Sequence, residues 1–299
     1  MFGVEFCKIL TLSGLKILQS DLKSHEQNFQ PTQSQKIVKI GPKNVQSRVN
    51  VQRNIVLHIA YDGTRFLGWQ KTASGPSVES SLELVCEKVL QEKIVLQAAS
   101  RTDRGVHAEG QIVNFFTTNT MDLGLIRRGL NALLPKTIRI LLTQEANLEF
   151  HPTLQAEEKE YWYEACLNPV QLPFHRKTSW HYPKSVCIET MRTSCHFLIG
   201  LHDFTSFSTD PQPKNPVCHL AKIEIIALPE NRLRFILVGN RFLYKMARTL
   251  VGTLLQIGSG KIEGSRLPSI LNDRQRKRAG VTAPALGLKL HQVFYAYSK

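Results

Sequence analysis

The sequence lacks the patterns that mark metal-bound, disulfide-linked and membrane-spanning proteins. Its six cysteines are scattered without C-x-x-C spacing, so neither a disulfide framework nor a zinc knuckle is indicated, and we interpret them as core residues in a reducing compartment. The ten histidines fall in no H-E-x-x-H, H-x-x-E-H or zinc-finger arrangement, so we expect no metal. No stretch long enough to cross a bilayer is free of charged or strongly polar residues, which predicts a soluble protein.

Acidic residues are also scarce relative to basic ones. Lys and Arg number 38 against 24 Asp and Glu, which gives a formal charge of +14 and a pI near 9.6. Between residues 232 and 278 there are eleven basic side chains and two acidic ones, a clustering typical of phosphate binding. A polyanionic partner is therefore predicted, nucleic acid first and an anionic membrane surface second. The run over residues 274–278 alone fits a solvated loop equally well.

The first part of the chain differs in composition from the rest. Gln, Ser and Lys dominate residues 20–52, and no sustained apolar period is present there. We predict a poorly ordered extension over residues 1–52. A basic arm that touches RNA, an organelle-targeting segment, and a disordered tail or misplaced start codon all fit this composition. Without a targeting role for the extension, the expected location is the cytoplasm.

From residue 54 onward, strand and helix patterns alternate and predict an α+β fold. The β-branched, alternating run over residues 55–61, which ends at an Asp-Gly turn pair, indicates a strand. Apolar residues at helical spacing after Ser77 indicate a helix. The other predicted strands are 94–99, 111–117, 138–143, 159–167, 223–228 and 232–238, and the other predicted helices are 123–134, 188–198 and 241–257. We expect two lobes, 53–156 and 157–299, each a sheet with helices on one face, flanking a basic central cleft.

One polar loop, between two of the predicted strands, combines groups suited to catalysis. Asp103 lies between Arg101 and Arg104, and nearby positive charge favours the ionised form of a carboxylate. An ionised, partly dehydrated carboxylate is a competent nucleophile. By itself the pattern also fits a turn residue that accepts hydrogen bonds from its own backbone.

Several segments resemble motifs of the TruA family of tRNA pseudouridine synthases. The loop reads A-S-R-T-D-R-G-V-H-A-E-G-Q over residues 99–111, close to the family signature A/G-x-R-T-D-x-G-V-H-A-x-G-Q. Four further segments match in family order: Y-D-G-T-R-F-L-G-W-Q at 61–70, F-H at 150–151 with K-E-Y-W-Y at 159–163, G-N-R-F-L-Y-K-M-A-R-T-L-V-G at 239–252 and T-A-P-A-L-G-L at 282–288. The resemblance spans residue 54 to the C-terminus and leaves out the extension.

The resemblance implies a pseudouridine synthase fold and an isomerase that needs no cofactor. It implies that Asp103 is the catalytic nucleophile or base, that Tyr161 stacks on the target base, and that Arg248 pairs with Asp103. Arg101 would fill the gap left by a flipped nucleotide. Whether the carboxylate attacks C1′ or removes a proton from the sugar stays open.

The resemblance also extends to the substrate and its contacts. It implies that Arg104, His107 and Gln111 contribute to substrate binding beside Arg101 and Tyr161. The implied substrate is the anticodon stem-loop of tRNA, at positions 38 to 40, bound by a homodimer. The sequence departs from the family pattern at Arg104, Thr153 and Lys245, where Ala, Arg and His are common. These departures leave the target site and the affinity less determined than the reaction type.

Two alternatives from other functional classes follow from the same residues. A noncatalytic RNA-binding protein would use the same basic groove, although it would gain nothing from placing an anion where phosphates must approach. A hydrolytic glycosidase would need a second positioned acid, and Glu109 is the local candidate.

Overall fold

The computed structural model describes residues 51–296, so nearly all of the predicted extension lies outside the described residues. The strands are β1 Arg53–Tyr61, β2 Gln97–Ala98, β3 His107–Thr117, β4 Ile138–Ala146, β5 Ala156–Cys166, β6 Trp180–His181, β7 Gly200–Asp203, β8 Val217–Leu228, β9 Arg232–Gly239 and β10 Leu288–Tyr295. The α-helices are α1 Val78–Leu90, α2 Leu123–Leu133, α3 Ile188–Cys195, α4 Met246–Gly258 and α5 Leu267–Asp273. The α+β fold class predicted from the sequence is confirmed.

The strands form a single sheet that runs through both halves of the chain, where the sequence suggested two. The order is β4-β1-β3-β10-β5-β9-β8-β7, with β2 paired to β3 and β6 paired to β5. Strand β10 joins the halves because it pairs in parallel with β3 and antiparallel with β5. The sequence did not predict β10, and without it the two groups of strands have no common neighbour. The division into lobes at 156/157 remains a prediction.

Helix α1 begins where the sequence predicted, because Ser77 provides its N-cap. The Ser77 hydroxyl accepts a hydrogen bond from the Ser80 amide at 3.1 Å, and the Ser80 hydroxyl accepts one from the Ser77 amide at 3.2 Å. These two bonds satisfy amides that have no partner inside the helix. The apolar face of the helix, with Val78, Leu82 and Cys86, is buried against the sheet. The segment just before α1 supports the loop that carries Asp103, as described below.

Helix α4 begins at Met246, five residues later than predicted. Lys245 has φ of +59°, in the left-handed region, so the backbone cannot enter the helix before this residue. The apolar residues of the preceding segment, such as Phe242 and Leu243, resemble a helix turn in sequence but line a cavity instead. From Met246 onward every residue of α4 except Arg248 is buried.

The segment 279–287 lies along α4 and is fixed to it. A Cβ atom on Gly252 would come 1.9 Å from the carbonyl oxygen of Val281, so the two backbones touch only because that position is glycine. The Gly280 amide donates to the Thr253 hydroxyl at 2.9 Å, and the Ala283 amide donates to the Arg248 carbonyl at 3.1 Å. We call segment 279–287 the strap, since it holds the side of α4 that faces the candidate site.

Other differences from the sequence-based prediction concern the ends of strands and a few elements that the sequence did not indicate. The strand predicted over 94–99 is reduced to β2, and β3 begins four residues earlier than expected, at His107. Strands β6, β7 and β10 and helix α5 were not predicted. Within residues 51–296, no helix combines the length and the apolar character needed to cross a membrane.

The close approach of β3 and β10 makes a prediction about stability. A Cβ on Gly110 would come 2.3 Å from the His291 carbonyl oxygen, which is backbone and cannot move aside easily. We expect Gly110→Ala to lower the free energy of unfolding by about 1–3 kcal/mol, through overpacking at the junction of the two halves. Thermal or denaturant unfolding measures this change.

The matched control is Gly129→Ala in α2. Its new Cβ would meet only side-chain atoms of Val89, the nearest at 3.2 Å, and no backbone atom, and alanine is the better helix former. The free energy of unfolding of Gly129→Ala should equal or exceed that of the wild type. An equal loss in both variants, or no loss in Gly110→Ala, would contradict the close approach of β3 and β10.

Candidate active site

The loop that carries Asp103 turns sharply between β2 and β3. The Val106 amide donates to the Asp103 carbonyl at 3.1 Å, which closes a four-residue turn. Gly105, the third residue of the turn, has φ of +80°, a conformation that favours glycine. The glycine of the R-T-D-R-G string is thus needed for the turn that presents the carboxylate.

The segment after β1 supports this loop from behind. The Trp69 amide donates to the Thr102 carbonyl at 3.0 Å, and the Tyr61 and Thr102 hydroxyls are hydrogen-bonded at 2.7 Å. Gly68, with φ of +108°, passes so close that a Cβ there would lie 2.7 Å from the Thr102 carbonyl oxygen. The Y-D-G-x-x-F-x-G-W-Q segment therefore fixes the backbone on which Asp103 sits.

Asp103 forms an ion pair with Arg248 from the other half of the chain. The distance from Arg248 Nη1 to Asp103 Oδ2 is 2.9 Å, and the two side chains are 13% and 17% exposed. Arg248 Nε donates to the Ala283 carbonyl of the strap at 2.7 Å, so the guanidinium is held from two sides. The contact between these residues implied by the family resemblance is present.

The arginines adjacent to Asp103 in sequence do not play the part that the sequence suggested. Arg101 and Arg104 are exposed, and neither forms an ion pair or hydrogen bond with another residue in the range 51–296. The positive partner of the carboxylate is Arg248, from a distant helix. The two loop arginines point into the cleft with their charges unpaired, and they are therefore available to a polyanion.

Tyr161 lies in the same cleft and is almost fully buried, at 5% exposed. Its hydroxyl is 2.7 Å from the Ser100 hydroxyl, and its ring meets the Phe242 ring edge to face at 5.0 Å between centroids. Burial, together with the negative charge of Asp103, raises the pKa of Tyr161 to about 12. The phenol is consequently neutral at physiological pH and can exchange hydrogen bonds without acting as a base.

These groups line a cavity of about 460 Å³ at the junction of the two halves. Its wall combines one carboxylate, four cationic side chains and an apolar floor. The residues that matter for its chemistry are Arg101, Asp103, Arg104, Tyr161, Phe242, Lys245, Arg248 and Leu288. Five of these were singled out from the sequence as catalytic or substrate-contacting residues, namely Arg101, Asp103, Arg104, Tyr161 and Arg248.

Comparison with known proteins identifies the family. The model of the family described as tRNA pseudouridine synthase matches residues 57–153 and 195–296. This chain belongs to that family. It is an isomerase family, and the pseudouridine synthase fold expected from the sequence motifs is confirmed.

Relatives from several bacteria are similar over most of their length. The chain is 48% identical over 247 residues to tRNA pseudouridine synthase A 2 of Protochlamydia amoebophila (strain UWE25), which covers 81% of this chain and 94% of the relative. Identity to tRNA pseudouridine synthase A of Chlamydia muridarum (strain MoPn / Nigg) is 38%, covering 81% and 92% of the two chains. Identity to the Acetivibrio thermocellus protein of the same name is 36%, covering 81% and 100%.

Two residues expected among the substrate contacts of this family member do not line the cavity. Gln111 is fully buried, and its amide group clamps Ser100: Oε1 accepts from the Ser100 amide at 3.2 Å, and Nε2 donates to the Ser100 carbonyl at 2.6 Å. His107 Nδ1 accepts from the Gly63 amide at 3.2 Å, and Nε2 is 2.9 Å from the Lys177 carbonyl. Because their polar atoms are occupied by protein groups, both residues position the loop.

Glu109, the second acid required by a hydrolytic mechanism, is directed away from Asp103. Its carboxylate is bound by Lys289 at 2.6 Å and by His291 at 2.9 Å, and it lines a separate cavity. The hydrogen bond from His291, followed by those from Lys289, lowers the pKa of Glu109 to about 2. An acid that stays ionised and faces another cavity cannot protonate a leaving group beside Asp103.

No cluster of three or more His, Cys, Asp or Glu side chains suited to a metal ion occurs among residues 51–296. The side chains of the cavity supply one carboxylate, its arginine partner, a neutral phenol and a basic rim. Such a set can act as nucleophile or base and can bind an anionic polymer.

Sequence reasoning missed the contacts that complete the site. Ser100 is hydrogen-bonded to the Tyr161 hydroxyl, Phe242 packs on the Tyr161 ring, and the Ala283 carbonyl orients Arg248. Leu288 contributes to the cavity from β10. The alternation of the buried Leu288 and Leu290 with Lys289 and His291 is a strand signal that could have revealed β10. A carbonyl acceptor and a ring-ring contact leave no comparable signal in sequence.

The ion pairs of Glu109 predict a pH dependence of stability. Since its pKa in the folded state, about 2, lies below the unfolded value of 4.5, the stabilisation is fully present above pH 4.5 and is lost as pH falls toward 2. We expect the melting temperature of Glu109→Gln to depend less steeply on pH than that of the wild type within this window. Melting curves recorded between pH 5 and about 2 measure the difference.

The control is Glu157→Gln, at an exposed position of β5. Its pH profile should follow that of the wild type. A Glu109→Gln profile parallel to both would show that the Lys289 and His291 contacts do not persist in solution.

Proposed function

We propose that this protein converts uridine to pseudouridine in the anticodon stem-loop of tRNA, at positions 38 to 40, with Asp103 as the catalytic carboxylate. The observation that carries the proposal is the ion pair of Asp103 and Arg248, at 2.9 Å, in a basic cavity beside a buried tyrosine. Membership in the tRNA pseudouridine synthase family supports the reaction.

The isomerisation requires the bond between uracil N1 and C1′ of the ribose to break and a bond between C5 and C1′ to form. The hydrogen on C5 leaves as a proton, and N1, which has lost its bond to the ribose, takes up a proton. An arginine partner favours the anionic form of a carboxylate, which is the form needed for attack on C1′ or for removal of a sugar proton. The second guanidinium contact, to Ala283, leaves Arg248 little freedom to release Asp103 to solvent.

Tyr161 forms the floor on which the target base would rest. A uridine in a folded stem-loop must leave the stack to meet Asp103, and an aromatic ring that packs against the extruded base offsets part of that cost. The neutral phenol and the edge-on Phe242 ring give an apolar surface. The exposed Arg101 is placed at the rim, where it would occupy the gap left in the RNA.

The same geometry bears on the two alternatives. A noncatalytic RNA binder would have no use for a carboxylate at the centre of a basic cavity, because the anion repels phosphate. A hydrolase would need a second acid, and Glu109 lies in another cavity. The isomerase is the function that uses both the central carboxylate and the cations around it.

Two further expectations stay predictions: assembly into a homodimer, which the family resemblance implies, and a cytoplasmic location. Light scattering on the purified chain measures the first. Microscopy of tagged full-length and 51–299 forms measures the second and would reveal whether residues 1–50 direct the protein to an organelle.

The central test replaces the carboxylate. Asp103→Asn retains the shape of the side chain and one acceptor for Arg248 but removes the negative charge, so RNA binding should persist while turnover falls by at least about 10³-fold. Turnover is measured as tritium released from tRNA labelled at C5 of uridine. The loss of the C5 hydrogen reports formation of the new bond directly.

The matched control is Asp122→Asn, which exchanges the same groups at the N-cap of α2. Asparagine caps helices as well as aspartate does, so fold and tritium release should both be unchanged. Tritium release near the wild-type rate in Asp103→Asn would refute the proposed role of Asp103.

A second prediction concerns Tyr161. In Tyr161→Phe the ring remains but the hydrogen bond to Ser100 is lost, so the protein should fold and bind RNA while single-turnover isomerisation slows by up to about tenfold. The pH dependence of the rate should not change, because the phenol, with a pKa of about 12, is neutral throughout the working range. An unchanged single-turnover rate would remove the Tyr161 hydroxyl from the site.

A further inference from the structure

Two cationic side chains, Lys159 and Arg241, lie next to the cavity and have no place in the mechanism above. Lys159 is opposite Gly239 in the register of β5 and β9, and Arg241 follows Gly239 by two residues. Because side chains alternate along a strand, Lys159 projects from the same face of the sheet as Tyr161, one repeat of about 7 Å away. Arg241 directly precedes Phe242, whose ring contacts Tyr161.

The pair lacks a counter-ion within the described part of the chain. Neither side chain forms an ion pair with any residue in 51–296, and Arg241 makes one contact, from Nη2 to the Lys214 carbonyl at 3.3 Å. Burial, together with the charge of Arg241, lowers the pKa of Lys159 to about 8. Both side chains are half-buried, and charges withdrawn from solvent are usually paired, so two neighbouring cations without an anion mark a site that is incomplete without a ligand.

The surroundings restrict what that ligand is. Three further cations, Arg101, Arg104 and Lys245, line the adjacent cavity and form no ion pair within residues 51–296, so a single small anion would not neutralise the positive charge of this region. The pair is one strand repeat from the tyrosine on which the target base would rest. The backbone of a nucleotide whose base lies on Tyr161 would therefore pass close to both cations.

We propose that Lys159 and Arg241 together bind one phosphodiester group of the RNA backbone beside the target nucleotide. This site rests on the proposed function for the identity of the RNA. Arg241 would supply a planar, directional donor and Lys159 a compact charge, a combination suited to the oxygens of a phosphate. The contact of Arg241 with Lys214 links the site to the proline-rich loop 211–216, which would then affect how the RNA is seated.

The test measures RNA binding, so that it is independent of turnover. The full-length Lys159→Met, Arg241→Met and double variants are titrated with an anticodon stem-loop RNA labelled at its 5′ end, at several salt concentrations. Methionine keeps the apolar stem and removes the charge. Each single variant should raise Kd by about tenfold, and in the double variant, which loses the whole phosphate contact, the slope of log K against log salt should become shallower by about 0.7–0.9.

Two matched variants sharpen the test. Lys159→Arg keeps a cation at the position and should restore most of the affinity, whereas a structural defect at this position would not be rescued. Lys222→Met removes a lysine from β8, on the opposite face of the same sheet, and should leave Kd and the salt slope unchanged. Melting curves show whether each variant is folded.

The outcomes separate this site from the proposed function. The site is overturned if Lys159→Met and Arg241→Met keep the wild-type Kd and salt slope, or if Lys222→Met weakens binding equally. A loss confined to the single-turnover rate at saturating enzyme, with Kd unchanged, would also overturn it, because it would place Lys159 at the reacting nucleotide. Failure of the proposed function would appear instead as wild-type protein that binds RNA and releases no tritium.

Discussion

The ion pair between Asp103 and Arg248 is the contact on which the candidate site depends. It joins residues 145 positions apart, one on a loop of the N-terminal half and one on a helix of the C-terminal half. Removing one member of a partly buried pair leaves the other as an unpaired charge, which commonly costs about 3–5 kcal/mol. The site therefore exists only while both halves hold their positions, and the rest of the fold can be understood as the means of holding them.

Three features maintain that alignment. The segment containing Gly68 and Trp69 fixes the backbone of the Asp103 loop, and the strap fixes Arg248 through the Ala283 carbonyl. Strand β10, which continues from the strap, pairs with strands of both halves and makes them one sheet. The C-terminal segment thus orients the arginine and joins the halves of the chain at the same time. Close backbone contacts at Gly110 and Gly252 allow it to fit.

The sequence predicted most of the elements because their signals are local. Apolar alternation gave β1 and β5, and Ser77 with the apolar spacing after it gave α1. Predictions failed where tertiary contacts override such signals: Lys245 in the left-handed region delays α4, and residues before it line a cavity. The expectation of two sheets failed because pairing partners of a strand are set by the whole fold, and the alternation in β10 does not say which strands it joins.

The sequence by itself determined which groups carry chemistry: a loop carboxylate, an aromatic strand, an arginine on a basic helix and an excess of positive charge. The motif resemblance also implied the pair of Asp103 and Arg248. Only the tertiary structure decided that Arg101 and Arg104 take no part in that pair although they are near Asp103 in sequence, that protein groups occupy the polar atoms of His107 and Gln111, and that Glu109 is separated from the cavity. The physical reason is the separation along the chain over which each kind of signal acts. Propensity and periodicity act over a few residues, whereas electrostatic pairing depends on distances that only the packed chain defines.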